Sequence, residues 1–174
     1  MLNDRAVPDH YLHGDLLAAI EGSLGKLGKT VDEVTINDLA PVDEFHIGGK
    51  LATEHLMDQL NFSPQDDILD VGCGLGGAAR YVASNYGTRV TGIDLSREYV
   101  ETGKALCAWV KLGDRVTLEH GSATAMPFRE ASFSGGYMLH VGMNKESSSI
   151  KIGNMINNIS AKLLAPVEII VRKR

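Results

Sequence analysis

Ile68-Leu69-Asp70-Val71-Gly72-Cys73-Gly74-Leu75-Gly76-Gly77 is a short apolar run that carries one acid, breaks into glycines and leads into a helical segment from Gly77 to Asn85. Buried strand, glycine loop and helix in that order open a βα unit. Downstream the alternation continues. Candidate strands are Asp67 to Val71, Arg89 to Ile93, Arg115 to His120, Phe133 to Leu139 and Val167 to Val171. Candidate helices lie between them at Gly77 to Asn85, Arg97 to Leu112 and Ile150 to Leu164, with Ser96 as an N-cap and Gly113 as a stop for the second. Upstream, Leu12, Leu16, Leu17, Ile20, Leu24 and Leu27 recur at helical spacing between Tyr11 and Lys26. Thr30 to Glu33 reads as a capping box for a short helix that ends before Pro41. Phe45 to Gly49 reads as a loop, and helical spacing returns from Lys50 to Leu60. The sequence therefore divides into a helical N-terminal cap, 1–62, and an α/β core with a mostly parallel sheet, 63–174.

The glycine loop lets backbone come close to a ligand at the start of a helix. Gly72, Gly74 and Gly77 also match the dinucleotide fingerprint, so NAD and FAD enter the comparison. Asp70 argues against them. A carboxylate at the end of the strand repels a pyrophosphate and attracts a cation. S-adenosylmethionine carries an ammonium and a sulfonium and no phosphate, which suits an acidic strand end. The competing role for Asp70 is a loop cap that accepts from local backbone N–H groups.

The run Asp70-x-Gly72-Cys73-Gly74-x-Gly76-Gly77 resembles the first motif of class I S-adenosylmethionine-dependent methyltransferases. Gly92-Ile93-Asp94-Leu95-Ser96 follows in the order and spacing of that family, and Asp94 offers two oxygens to two ribose hydroxyls. Gly121-Ser122-Ala123 stands where the family usually has Gly-Asp-Ala, so a neutral Ser122 hydroxyl replaces the carboxylate toward the adenine amino group, and the Ala123 N–H serves a ring nitrogen. Met126 and Phe128 could pack on the adenine face, but two apolar residues after a strand are more often core. The resemblance implies a Rossmann-like fold with helices on both faces of the sheet. It also implies a cofactor site of Asp70, Gly72, Cys73, Gly74, Gly76, Asp94, Leu95, Ser122, Ala123 and His140.

Tyr137-Met138-Leu139-His140-Val141-Gly142-Met143-Asn144 follows the fourth strand, at the sheet edge where cofactor and acceptor meet in open α/β folds. His140 is placed there to take or orient the proton of an acceptor amine. This segment and Asp43-Glu44-Phe45-His46-Ile47-Gly48-Gly49 resemble the sarcosine/dimethylglycine and phosphoethanolamine N-methyltransferases. That narrower resemblance implies a helical cap that brings His46 and Tyr11 to the acceptor. Solvated polar roles for both, and a structural hydrogen bond for His140, are the alternatives.

The 174 residues carry a net charge of −5 and only the two cysteines Cys73 and Cys107, which suggests neither a disulfide framework nor a cysteine metal site. No basic face precedes residue 145, so a small molecule is expected as partner rather than nucleic acid. Neither a membrane-spanning apolar run nor a signal peptide is evident, and a cytoplasmic location is the expectation. Residues 145–174 hold six basic against two acidic residues, whereas residues 1–144 hold eleven against twenty. Leu163-Leu164-Ala165-Pro166-Val167 keeps the proline of the family's Leu-x-Pro-Gly-Gly turn and loses its glycines, and strands six and seven find no sequence. An altered C-terminus that leaves a sheet edge open and favours a homodimer is expected. Methyl transfer to a small acceptor, first an amine nitrogen, is the main functional reading. An inactive S-adenosylmethionine-binding remnant and a nicotinamide-dependent oxidoreductase are the others.

Overall fold

The computed structural model describes residues 16–43, 49–139 and 141. Helices α1 (Leu16–Lys26), α2 (Ile36–Asp43) and α3 (Gly49–Met57) precede a βα alternation of β1 (Asp67–Val71), α4 (Gly77–Tyr86), β2 (Arg89–Asp94), α5 (Arg97–Trp109), β3 (Val116–His120) and β4 (Gly135–Tyr137). The four strands form a parallel sheet in the order β3-β2-β1-β4. The order changes direction beside β1, so the loops after β1 and β4 flank the crevice in which open α/β sheets bind ligands. The candidate strand Val167 to Val171 and the candidate helix Ile150 to Leu164 lie outside the described residues.

Register explains how the core is divided. Ile68, Val90, Val116 and Leu118 pack with Ala79 and Val82 of α4 and Val100 and Cys107 of α5. Leu69, Val71 and Ile93 point to the opposite face and meet Phe133, with Met126 and Phe128 packed beside them. Phe128 and Phe133 stack edge to face at 5.0 Å. Of the two readings open for Met126 and Phe128, the structure favours core. Arg89 opposes Asp67 in register and holds it with a forked pair of bonds, 2.6 and 3.0 Å, at the solvent-exposed start of the sheet.

Three local expectations are corrected. The capping box of α2 is Thr35 to Asp38, where Thr35 N donates to Asp38 Oδ2 at 2.9 Å and Asp38 N donates back to Thr35 Oγ1 at 3.4 Å. Thr30 and Glu33 close a separate turn upstream. Helix α2 does not stop before Pro41 but continues to Asp43. A proline removes one helix hydrogen bond, and here burial of Leu39 at 0% exposure and an ion pair at Asp43 outweigh that loss. The fourth strand, expected from Phe133 to Leu139, pairs only over Gly135–Tyr137.

Helix α1 lies on α5. Ile20 and Leu24 of α1, Val34 and Leu39 share one buried cluster with Leu75 of the glycine loop and Leu106 of α5. Helix α5 approaches that loop closely because Gly103 has no side chain. A Cβ there would stand 2.6 Å from the Leu75 carbonyl oxygen and 2.6 Å from Leu118 Cδ1. Gly103→Ala gains about 1 kcal/mol of helix propensity and incurs an overpacking cost of roughly 1–3 kcal/mol against backbone that cannot swing aside. A net loss of stability is expected, read as a lower urea midpoint at unchanged m-value. Among the described residues no helix is long and apolar enough to cross a membrane.

Candidate functional site

Strand β1 delivers the chain to the loop, and each turn of that loop is held by a neighbour. Gly72 N and Cys73 N donate to the Ile93 carbonyl at 2.8 and 3.2 Å, which ties the loop to the end of β2. Gly74 N donates to Asp94 Oδ2 at 2.9 Å, and Ser96 N donates to Asp94 Oδ1 at 2.8 Å. Gly74 and Gly76 have φ of +55° and +81°, conformations costly for any residue with a side chain. Gly76 is the N-cap of α4. Ser96 caps α5 as expected, accepting from Tyr99 N at 3.2 Å.

Asp94 is the side chain that joins loop, strand and helix. It is half-buried. A carboxylate offers about four lone-pair sites, so after the Gly74 and Ser96 bonds each oxygen keeps one for a ligand. A Cβ on Gly74 would meet nothing within 4 Å among the described residues, which leave open space beside the loop where Asp94 holds it. The front of Gly72 is closed by contrast. A Cβ there would stand 2.2 Å from Val141 Cγ2, so the residue next to His140 packs directly on the first glycine of the loop.

Asp70 lies beneath the loop at 2% exposure, between Gly92 and Tyr137 in the sheet register. Its Oδ2 accepts from the Tyr137 hydroxyl at 3.1 Å. The loop amides are held by Ile93 and Asp94, so the loop-cap role weighed for Asp70 is filled by other groups. Burial raises its carboxyl pKa to about 7, opposed by the Tyr137 hydrogen bond and assisted by the nearby charge of Asp94. Cys73 is also buried, and desolvation pushes its thiol well above the ordinary value, so it packs rather than reacts.

The Asp70 shift fixes a pH dependence. The folded state holds this proton up to about pH 7 and the unfolded chain releases it near the ordinary carboxyl value of 3.8. Between those values the native state binds more protons, so stability is greatest at the acid end and declines as pH rises through the window. Urea unfolding at several pH values is expected to show this decline, and Asp70→Asn, which cannot ionise, is expected to flatten it.

Ser122 sits after β3 and is half-buried, and its hydroxyl pairs with Thr124 Oγ1 at 2.8 Å and accepts from Thr124 N at 3.2 Å. It thereby shapes the turn that presents Ala123. Leu95 follows Asp94, and its carbonyl lies 3.1 Å from His120 Nε2, a contact the sequence did not suggest. Asp94, Leu95, Ser122 and Ala123 therefore stand at adjacent strand ends, joined by the Gly121 N to Asp94 carbonyl bond of 2.9 Å. Tyr11, His46 and His140 lie outside the described residues. Among the described residues no group of three or more His, Cys, Asp or Glu side chains is placed to hold a metal ion.

Residues 68–160, more than half of the chain and including the whole glycine loop, match the family model for a methyltransferase domain. The chain belongs to that family. It is a class I S-adenosylmethionine-dependent methyltransferase domain by motif and by the parallel sheet described above. A probable tocopherol O-methyltransferase from Oryza sativa is 44% identical to this methyltransferase domain over 66 residues, covering 38% of this chain and 18% of the relative. Phosphoethanolamine N-methyltransferase 1 of Zea mays is 51% identical over 49 residues, covering 28% and 10%. The solved structure of a geranyl diphosphate methyltransferase in complex with S-adenosylmethionine aligns with a TM-score of 0.51 at 25% identity, covering 59% of this chain and 41% of the other. The methyltransferase domain spans about half or less of the length of the curated relatives it matches.

Proposed function

We propose that this chain binds S-adenosylmethionine at the glycine loop and carries its methyl group to a small-molecule acceptor, with an amine nitrogen as the first candidate. The observation that carries the reading is Asp94: a carboxylate fixed by two backbone amides, half open, with one acceptor site left on each oxygen beside the open space at Gly74. That donor and acceptor set fits a ribose. The acidic groups Asp94 and Asp70 at neighbouring strand ends, with Arg80, the basic side chain that bonds the loop at Leu75, already paired with Asp43, fit a cationic ligand better than a pyrophosphate.

The bound cofactor would supply an electrophilic methyl on a sulfonium. The chain's own part is to hold the ribose at Asp94, to keep the adenine near Ser122 and Ala123, and to accept the ammonium of the amino-acid end over the acidic strand ends. Transfer then needs close in-line approach and exclusion of water more than strong acid–base chemistry. His140, with His46 and Tyr11, is the proposed means of orienting a neutral amine and taking its proton. The relatives act, by their names, on a tocopherol, on phosphoethanolamine and on geranyl diphosphate, so the family accommodates diverse acceptors.

The test is isothermal titration calorimetry with S-adenosylmethionine and, separately, NADH, followed by transfer of a labelled methyl group to sarcosine, phosphoethanolamine and a phenol. Heat with the first ligand and none with the second, with label on an amine, is the expected result. Binding of NADH would overturn the argument from Asp70, and label on the phenol alone would move the acceptor from nitrogen to oxygen.

A further inference from the structure

Arg80 has no place in the reading above, yet it is the largest fully buried side chain described in the protein, at 0% exposure within α4. Its guanidinium spends its donors on three separate elements. Nη2 pairs with the carboxylate of Asp43, the last residue of α2. Nη1 donates to the Leu75 carbonyl at 2.8 Å and lies 3.5 Å from the Gly103 carbonyl and 3.4 Å from Cys107 Sγ in α5. Leu75 belongs to the glycine loop, and its side chain, at 1% exposure, is packed among Ile20, Leu24 and Leu39 of α1 and α2. The loop residue between Gly74 and Gly76 is thus tied twice to α2, through its carbonyl by way of Arg80 and Asp43 and through its side chain beside Leu39.

We infer that Arg80 is a positioning residue that locks the cofactor loop to helix α2, so that occupancy of the loop and the order of α2 form one coupled equilibrium. The inference rests on the proposed cofactor reading for its ligand, though not for the lock itself. The physical reason is geometric. A guanidinium is a rigid planar fork, and moving Leu75 relative to Asp43 must break one of its two ends. Each end is buried, where an unmade bond to a charged group is costly, so the two arrangements of loop and helix move together rather than independently. A ligand that fixes Gly74 through Asp94 therefore also fixes Leu75, and through Arg80 the end of α2, which the ligand does not touch. The coupling is reciprocal: whatever orders α2 from the other side tightens the loop for its ligand.

Amide hydrogen exchange on the full chain tests this in two arms. Without ligand, Asp43→Asn keeps the size of the side chain and removes its charge, and Arg80→Lys keeps the charge and loses the fork. In either variant exchange at Gly76 and Gly77 is expected to accelerate by a larger factor than in β1 and β2. Loop exchange that rises no more than the strands in whichever variant folds would overturn the lock. With S-adenosylhomocysteine added, the wild type is expected to gain about fivefold or more protection at Leu39 to Asp43 as well as at the loop. In the variants the protection is expected at the loop alone. Protection of the loop without α2 in the wild type would overturn the coupling. Protection of neither in the wild type would overturn the cofactor reading instead, and the ligand-free arm still decides the lock.

Discussion

Asp94→Ala is expected to weaken S-adenosylmethionine binding by about 100-fold or more while leaving a folded chain. The proposed contacts are two hydroxyl donors on one carboxylate, and hydrogen bonds to a charged group contribute roughly 1.5–3 kcal/mol each. Two of them amount to about 3–6 kcal/mol, and each 1.4 kcal/mol is a factor of ten. The same substitution also frees Gly74 N and Ser96 N, so part of the loss reflects a loosened loop. A 2′-deoxy analogue of S-adenosylhomocysteine separates the two parts. The wild type should bind it more weakly than the full ribose, whereas Asp94→Ala should hardly distinguish them, because the partner of the missing hydroxyl is already gone. Asp94→Asn should fall between. Its amide keeps one oxygen but turns an NH2 group toward either Gly74 N or Ser96 N, which are both donors. Calorimetry gives the affinities, and an unchanged far-UV spectrum shows that the fold survives. Equal discrimination of the two ribose forms by wild type and Asp94→Ala would mean that Asp94 serves the loop alone.

Asp94 and the glycine loop were legible in the sequence because their relation is local and periodic. A strand, a glycine run and an acid at the end of the next strand are fixed by chain order, and the parallel register Asp70↔Gly92 brings them together with no long-range information needed. Strand β1 and the starts of α4, β2 and α5 fall where the pattern puts them for the same reason. Tertiary override accounts for the rest. Pro41 is a poor helix residue, and α2 passes through it because Leu39 and Asp43 are held by other elements. Thr30 to Glu33 and Thr35 to Asp38 have the same cap spacing, and only the second is followed by a helix that buries a leucine. Tyr137 could be read as part of the segment leading to His140, but not as the donor to Asp70, which depends on β4 lying beside β1. Arg80 and Asp43 stand 37 residues apart. In the sequence an arginine four residues into a helix reads as a solvated face, and the signal that could have exposed it is that its neighbours Ala78, Ala79, Val82 and Ala83 leave little polar surface around it.

Arg80→Met is expected to be among the most destabilising single substitutions in the protein, by about 3–5 kcal/mol, the usual result of removing one partner of a buried ion pair. Methionine matches the length of the aliphatic stem, so little of the loss comes from a cavity. The loss arises because Asp43, whose side chain is only 2% exposed, keeps a buried charge that has lost its Arg80 counter-ion, and because the Leu75 carbonyl loses its Arg80 donor. The pair is not required for stability as such, since replacing both members of a buried pair with apolar residues is often neutral. Asp43→Leu combined with Arg80→Met should therefore regain most of the stability lost by Arg80→Met alone. A residual deficit of roughly 1–3 kcal/mol should remain for the Leu75 carbonyl, which neither substitution satisfies. Arg80 Nε, buried without a hydrogen-bond partner among the described residues, is a standing cost that the double variant removes, which works in the direction of recovery. Urea midpoints of the wild type, both single variants and the double variant give the coupling energy directly. Strong coupling with incomplete recovery would mean that the Leu75 carbonyl relies on its Arg80 donor, and full recovery would mean that Leu75 needs no donor there.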